Sequence, residues 1–598
     1  MNTLKKLIKK YFKNFHYFYR YLRHRVFVVV TLTFLFGAMD GLGLSMFLPL
    51  FQIAADRNES GSAAETDDGG LMRFFEFFHM EFNLANMLIL MVVFFALKGL
   101  FFYFKGVYDA KVARYFIVNT RRNLLAKFSS LSFQHFVKSD VGAIQNLMTV
   151  EINTLLYGFR DYLIILQKGV MVVVYMGFAF AMNAEFAILI MLGGVMFNFL
   201  FQWIYKSTLA ASRKLVGENS DYQGSIIQLV ANFKYLKATG FIHNYAKKVT
   251  KNIEGLEAVN YRIGKLGSIT AAIREPILIF IVAAVILLQV YVRGSALSTI
   301  IVSLLFFYRA LTNLTDLQSQ YNYFLGKVGT MENVDNFADD LEKNHEQNGS
   351  LAFERLQQSL LLRDYSFSYG EHKVLSNINL EIEKNTTLAL VGESGSGKST
   401  LVNVISGLLM SNEGDYLVNG NKIENYDTQT FQRKIGYISQ DTVIFNASIY
   451  DNITLWAERN SDNLRRFQQA VEKASLDQYI ESLSLKDQTM LGNNGINMSG
   501  GQKQRVSIAR ELFKEADILI LDEATSALDS ETEKNIQRNI DALQGQFTII
   551  IIAHRLATIK NADTVVLMDQ GKIIAQDSFE GLKTKSERFK RMVELQEV

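Results

Sequence analysis

The stretch TLALVGESGSGKSTL, residues 387–401, constrains this chain more than any other part of it. The pattern is typical of an apolar β-strand, a tight glycine-rich turn and the start of a helix. Gly392, Gly397, Lys398 and Ser399 stand at the spacing of a phosphate-binding loop. Glycines there let successive backbone N–H groups point at one centre, and the lysine reaches the β- and γ-phosphates of a nucleoside triphosphate. The alternative is a plain glycine turn between a strand and a helix, which the TLALV run and the GKST tail disfavour.

A second apolar run, DILILDEA, ends in two carboxylates. The pattern predicts a buried parallel strand over 518–521, followed at once by Asp522 and Glu523. We expect Asp522 to hold Mg²⁺, directly or through water, close to the Ser399 hydroxyl. Glu523 would orient and deprotonate the attacking water. The alternative is an acidic helix N-cap after a core strand, and the phosphate-binding loop in the same chain makes that the weaker interpretation.

Composition indicates a membrane part joined to a soluble part. Hydrophobic residues make up 49% of the chain, with 45 Phe and 26 Tyr, which is high for a soluble protein and low for one that lies wholly in lipid. The net charge of +3 gives no reason to expect nucleic-acid binding. Because the chain has no Cys, disulfides and thiolate chemistry are excluded. Six spanning helices are predicted, at 26–53, 84–107, 163–182, 186–205, 273–291 and 296–314.

The segments around the spans predict the topology. Residues 1–25 are basic and aromatic without an acidic residue, which indicates a helix on the inner membrane surface or a solvated tail. The acidic loop after the first span is expected outside, and its part 71–82 is predicted as a helix, either in the outer interface or packed on the ends of the spanning helices. Polar residues at 326–352 are predicted as a linker. The predicted fold class is therefore an all-α six-helix transmembrane domain, 26–325, fused to an α/β phosphate-loop domain, 353–598.

A third motif indicates the family that the soluble domain resembles. MSGGQ followed by KQRVSIARE is similar to the signature motif of ATP-binding cassette (ABC) proteins, most of which have LSGGQ. Gln440 ends IGYISQ like the Q-loop glutamine, SALD at 526–529 matches the D-loop, and His554 in IIIIAHR matches the switch histidine. Tyr369 in FSY resembles the aromatic residue that stacks on adenine. The resemblance covers residues 351–598, with the motifs in the family's order, and implies an ATP-binding cassette.

The resemblance implies ATP and Mg²⁺ as cofactors and a hydrolytic site shared between two cassettes. Each ATP would lie between the phosphate-binding loop of one subunit and the signature turn of another, which is a second copy of the chain or a homologous half-transporter. Catalytic roles fall on Glu523, His554 and Gln440, and the Mg²⁺ ligands are Ser399, Gln440 and Asp522. The implied ATP contacts are Tyr369, Gly392, Glu393, Ser394, Gly395, Ser396, Gly397, Lys398, Ser399, Thr400, Ser499, Gly500, Gly501 and Gln502.

One local pattern departs from the family. Exporters of this class commonly carry an acidic and a basic residue shortly before the signature, whereas residues 491–495 read LGNNG. The departure concerns the surface expected to couple to the membrane helices rather than catalysis.

Charged residues inside the predicted spans bear on the cargo. A charge at a helix centre costs about 2.5–3.5 kcal/mol in lipid, so Lys98, Arg274 and Arg309 must face a cavity or a partner. They could form internal ion pairs, for instance Lys98 with Asp40 or Arg309 with Asp316. Alternatively, they line a wet basic cavity that accepts an anionic head group. The second interpretation is supported by a partial resemblance of the first span, the outer helix and these three cations to bacterial lipid-linked oligosaccharide flippases.

Six spans ahead of one cassette resemble an ABC exporter half-transporter, a multi-pass protein of the cytoplasmic (inner) membrane in which ATP hydrolysis drives transport. We expect flipping or export of an amphipathic, anionic lipid-linked (oligo)saccharide, with membrane lipid, the substrate and a second subunit as partners and no nucleic acid. Hydrophobic drugs, plain lipids or peptides are the alternative cargoes. A soluble regulatory or repair ATPase is disfavoured by the spans, and an ATP-gated channel is disfavoured by the complete hydrolytic set.

Overall fold

The computed structural model divides into two compact units. One comprises Met1–Leu131 together with Lys138–His345, and the other comprises Ser132–Val137 together with Glu346–Val598. The described residues are 17–19, 22–47, 50, 84–182, 184–287, 297–411, 413–440, 442–522, 538, 541–553 and 559–596.

Two predicted segments lie largely or wholly outside the described residues. Only the end of the basic segment 1–25 is described, and the outer helix predicted at 71–82 lies outside the described residues. Both therefore stay predictions.

Long helices build the first unit. Runs of apolar residues form helices in a bilayer because only a helix or a closed barrel satisfies the backbone hydrogen bonds there. A helix overlaps each predicted span. The helices, including the short α3 of the second unit, are α1 Arg25–Ser45, α2 Leu84–Ser129, α3 Phe133–Phe136, α4 Val141–Asn146, α5 Ile152–Met182, α6 Ala184–Ala231, α7 Phe233–Ala238, α8 Ile242–Leu287 and α9 Leu297–Lys343.

Within the described residues, four helical stretches are long and apolar enough to cross a membrane by length and composition. They are Arg25–Ser45, Leu84–Ser129, Val141–Ala181 and Ile242–Ala284. The full set of six spans stays a prediction.

The segment 326–352, predicted as a linker, is helical over most of its length. Helix α9 continues to Lys343 because Val328, Met331 and Val334, at helical spacing, are buried in the apolar core of the unit. The structure corrects the prediction here, since the polar and acidic residues between these positions hid the helical period.

Ion pairs lie between α5 and α9. Lys168 and Asp316 are 2.7 Å apart, and Asp161 pairs with Lys327 while accepting a 2.8 Å hydrogen bond from Gln320. Because these charges neutralise each other, the polar residues can lie between two packed helices. They hold α5 and α9 in one register.

Two sheets form the second unit within its described residues. The four-stranded sheet has the order β2-β1-β4-β5, and the six-stranded sheet has the order β10-β9-β3-β8-β7-β6. The strands are β1 Ser359–Tyr369, β2 His372–Glu383, β3 Thr387–Val391, β4 Glu413–Val418, β5 Asn421–Lys422, β6 Ile435–Ile438, β7 Ile518–Asp522, β8 Thr548–Ile552, β9 Thr564–Asp569 and β10 Lys572–Asp577. The helices around them are α10 Lys398–Ile405, α11 Thr428–Arg433, α12 Ile449–Thr454, α13 Ser461–Lys473, α14 Asp477–Ser482, α15 Gly500–Phe513, α16 Phe579–Lys585 and α17 Glu587–Gln596.

The central strands of the larger sheet are parallel. β3, β8 and β7 consist almost entirely of buried aliphatic residues, as expected for parallel strands covered on both faces. β3 pairs with β8, β8 with β7, and β7 with β6, all in parallel. Their carboxyl ends meet at one edge, so the residues that follow these strands gather there.

The short helix α3 packs within the second unit. Phe133 at its start contacts the apolar core that includes Leu360, Leu375 and Tyr416 of the smaller sheet. The chain segment 132–137 is thus a structural part of that unit.

Candidate functional site

The predicted phosphate-binding loop follows β3 directly and leads into α10. A Cβ atom at Gly392 would lie 2.3 Å from the carbonyl oxygen of Met568, so only glycine fits there. Gly397 precedes α10 with a φ of 100°, a left-handed conformation that favours glycine. The two glycines let the loop close tightly between the strand and the helix.

Lys398 lies over this loop. Its buried ammonium donates hydrogen bonds to the carbonyl oxygens of Gly392 at 2.8 Å and Glu393 at 2.9 Å. Helix α10 begins at Lys398, so the partial positive charge of the helix N-terminus adds to that of the ammonium. The arrangement suits a phosphate group.

Asp522 ends β7 at the same sheet edge. The Tyr437 hydroxyl, from the neighbouring strand β6, donates a 3.0 Å hydrogen bond to its Oδ2 atom. Burial, together with the negative charge of Asp522, raises the pKa of Tyr437. Tyr437 therefore remains a protonated donor at neutral pH and orients the carboxylate.

The partnership between Tyr437 and Asp522 was missed by the sequence analysis. The residues lie 85 positions apart, and IGYISQ indicated only the glutamine that follows. Pairing of β6 with β7 is what brings the hydroxyl to the carboxylate.

Two predicted catalytic residues lie outside the described residues. These are Glu523 and His554, and the D-loop match at 526–529 lies outside them as well. The structure does place the strands just before them, since β7 ends at Asp522 and β8 at Ile552. Their catalytic roles stay predictions.

The predicted Mg²⁺ ligands suit that ion chemically. Ser399, Asp522 and Gln440 offer a hydroxyl, a carboxylate and an amide oxygen, and each follows or ends a strand of the parallel sheet. Mg²⁺ prefers oxygen ligands and is commonly held by one or two carboxylates together with substrate phosphates. Among the residues described, no cluster of three or more His, Cys, Asp or Glu side chains is arranged for a metal ion. The donor set therefore fits a Mg²⁺ ion that is bound jointly with a nucleotide.

Tyr369, the predicted adenine platform, lies in the smaller sheet. It ends β1 half-buried, with its ring edge-to-face on Phe367 at a centroid distance of 4.9 Å. Burial raises the pKa of Tyr369, and a hydrogen bond with the Thr400 side chain partly offsets the rise. The predicted adenine platform is thus joined to the helix that follows the phosphate-binding loop.

The signature motif forms the start of α15. Ser499 is the N-cap residue, and its side chain and that of Gln502 form a reciprocal capping box. Ser499 and Gly500 are exposed, whereas Met498 is buried in the apolar core. The Met that replaces the usual Leu therefore fills an apolar position, and the turn presents free surface at a helix N-terminus.

The residues LGNNG before the signature form a tight turn. Gly492, Asn494 and Gly495 have φ values of 69°, 51° and 60°, and Asn is among the residues that best tolerate this left-handed region. Leu491 anchors the turn in the core. The backbone conformation gives a local reason for Asn and Gly at these positions.

The cations of the predicted spans do not share one environment. Lys98 forms a 2.6 Å ion pair with Asp40, which also accepts a hydrogen bond from the Tyr175 hydroxyl. Arg309 is exposed and forms no ion pair within the described part of the chain, because Asp316 pairs with Lys168.

Of the three cations, the structure therefore pairs Lys98 with a carboxylate and leaves Arg309 exposed. Arg274 lies in α8, and its side chain is outside the description.

The chain is similar to known protein families and to individual proteins over most of its length. The family model described as "ABC transporter transmembrane region" matches residues 26–314, and the model "ABC transporter" matches residues 375–526. The heterocyst differentiation ATP-binding protein HepA of Nostoc is 30% identical over 81% of this chain and 80% of that protein.

Further relatives are named as lipid flippases. The ATP-dependent lipid A-core flippase of Hahella chejuensis is 29% identical over 85% of this chain and 87% of that protein, and that of Haemophilus ducreyi is 27% identical over 86% and 89%. Among solved structures, a bacterial Atm1-family ABC exporter with ATP bound has the same fold, with a TM-score of 0.79 and 22% identity over 96% of this chain and 99% of that one.

Proposed function

Because the chain belongs to the ABC transporter family, and is therefore an ATPase coupled to transport across a membrane, we propose that it is a flippase for an anionic, lipid-linked saccharide in the cytoplasmic membrane. The observation that carries the proposal is an exposed arginine, Arg309, in a helix predicted to span the membrane. Relatives named as lipid A-core flippases support lipid flipping.

The proposed ATP site uses the residues of the parallel-sheet edge. The loop N–H groups and Lys398 bind the β- and γ-phosphates, Ser399 and Asp522 hold Mg²⁺, and Tyr437 orients Asp522. Mg²⁺ supplies charge neutralisation for the transferred phosphoryl group. Glu523 is proposed to take the proton of the attacking water.

A second subunit is required by this arrangement. One chain carries one phosphate-binding loop and one signature turn, and the exposed turn at Ser499 and Gly500 is suited to contact a phosphate bound elsewhere. We propose that two copies pair head-to-tail, so that the turn of each completes the ATP site of the other. A homologous half-transporter is the alternative partner.

Arg309 carries the argument about the substrate. Exposure of an arginine to hydrocarbon costs about 2.5–3.5 kcal/mol even on a lenient scale. Lys98 avoids this cost through Asp40, and Arg309 has no such ion pair among the described residues. A phosphate or other anionic head group in a wet cavity would neutralise it while the lipid tail stays in the bilayer. Drugs, peptides and plain lipids without an anionic group would leave the charge of Arg309 uncompensated.

Reconstitution in liposomes tests the proposal. Flipping of a fluorescent lipid-linked saccharide diphosphate and the ATPase activity that it stimulates should both fall strongly in Arg309→Gln and recover in part in Arg309→Lys. Lys343→Gln, the same charge loss at the exposed end of α9, is the matched control and should behave like the unaltered protein. Unchanged flipping by Arg309→Gln would refute the anionic substrate. Stimulation by uncharged drugs alone would favour the other cargoes.

A further inference from the structure

The C-terminal helix α17 reaches the phosphate-binding loop through one arginine. The guanidinium of Arg588 donates to Asp569 in a two-point arrangement, at 2.7 Å to Oδ2 and 3.0 Å to Oδ1. The same group donates to Oε1 of Glu393 at 2.9 Å. Glu393 is the residue directly after Gly392 in the loop. One arginine thus links the loop to two other parts of the unit.

Both ends of this link are held firmly. On the α17 side, the residue after Arg588 is the fully buried Phe589, whose ring packs edge-to-face on Phe579. On the other side, Asp569 ends strand β9, and the turn after it donates a 3.0 Å hydrogen bond from the Gly571 N–H to the carbonyl oxygen of Ser396. The packed helix α17 and the Asp569 carboxylate therefore fix the position of the Arg588 guanidinium. Glu393 forms its hydrogen bond with this guanidinium.

The charges explain why such a link matters. The loop gathers N–H groups and Lys398 around a site for a polyanion, and Glu393 adds a negative charge beside it. Coulomb repulsion between a carboxylate and phosphates at short range disfavours binding, although solvent screens part of it because Glu393 is 73% exposed. The single positive charge of the Arg588 guanidinium is shared between Asp569 and Glu393, so it offsets the negative charge of Glu393 in part.

We propose that Arg588 is a positioning residue of the nucleotide site, which partly neutralises Glu393 and thereby raises the affinity of the phosphate-binding loop for ATP. Through it, the C-terminal helix becomes part of the ATP site although no motif covers it. The inference rests on the ATP site of the proposed function and is independent of the transported substrate.

Titration of nucleotide binding tests the inference on the full-length protein in detergent. Arg588→Ala should weaken binding of fluorescent trinitrophenyl-ATP and raise the KM for Mg-ATP by about two- to fivefold, the size typical of exposed charge pairs, with kcat nearly unchanged. Arg588→Lys should keep most of the affinity because it keeps the charge. Arg591→Ala is the matched control, since Arg591 is an exposed arginine on the same helix.

Removal of the acidic partner separates charge from structure. In the Arg588→Ala background, Glu393→Gln should restore the affinity, because the uncompensated carboxylate is then gone. Glu393→Gln by itself should tighten ATP binding, and both differences should shrink in high salt.

The inference is overturned by equal KM values for Arg588→Ala and Arg591→Ala, or by a double variant that binds no better than Arg588→Ala. If Arg588→Ala fails to fold, Glu393→Gln still decides, since unchanged affinity there contradicts the role of charge. If the unaltered protein binds no ATP, the proposed function fails instead.

Discussion

Loss of Lys98 should destabilise the membrane unit through the carboxylate that it leaves behind. The Asp40 side chain is only 3% exposed and the two charged atoms are 2.6 Å apart. Removing one partner of a buried ion pair typically costs about 3–5 kcal/mol, because the other charge stays buried without compensation. The Tyr175 hydroxyl still donates to Asp40, which keeps the cost at the low end. Lys98→Met is therefore expected to lower the free energy of unfolding by about 3 kcal/mol.

Removal of the carboxylate instead of the lysine should cost about as much. In Asp40→Asn the lysine remains, and its side chain is 26% exposed and lies near the ring faces of Phe36 and Phe95. We expect a loss of about 2.5–3.5 kcal/mol, since Lys98 lies in a predicted span and loses its counter-charge. The double variant should lose only about 1 kcal/mol, against about 6 kcal/mol if the single effects were additive.

Equilibrium unfolding in mixed micelles, followed by helix content during titration with dodecyl sulfate, measures these free energies. Lys111→Met, an exposed lysine on the same helix α2, is the control and should change stability by less than about 0.5 kcal/mol. Additive losses in the double variant would refute the structural role of the pair. A double variant that is stable but inactive in flipping would assign Lys98 to the substrate after all.

Two predictions concern the ATP site. Glu523→Gln should lower ATPase turnover by about 10²- to 10⁴-fold, as loss of a general base does, and should trap ATP with the two subunits closed. Steady-state turnover and the amount of labelled nucleotide retained by the protein measure these effects. Near-normal turnover would contradict the role assigned to Glu523. Tyr437→Phe removes the donor to Asp522 and should lower kcat/KM for Mg-ATP about fivefold, since a hydrogen bond to a charged group contributes roughly 1.5–3 kcal/mol when buried and less when water can replace it. A steady-state ATPase assay over a Mg²⁺ series checks the latter, and a profile equal to that of the unaltered protein would exclude an orienting role for Tyr437.

The sequence by itself determined the fold class, the family and the place of the phosphate-binding loop. Each of these depends on residues close together in the chain, such as TLALVGESGSGKSTL or a long apolar run, whose backbone preferences act locally. The parallel strands that end at Asp522 and Ile552 follow from aliphatic runs that can only be buried. The ordered motifs identified the family before any strand was paired.

Only the tertiary structure decided which charges and hydroxyls meet. Lys98 and Asp40 lie 58 positions apart, Tyr437 and Asp522 85, and Arg588 and Glu393 195. No local pattern encodes such contacts, because they depend on how helices and strands pack after they form. For the same reason the sequence left Lys98 between an ion pair and a substrate contact, and hid the helical period that carries α9 through the predicted linker. The sequence allows several partners for each of these side chains, and the packing of distant segments determines which partner each one contacts.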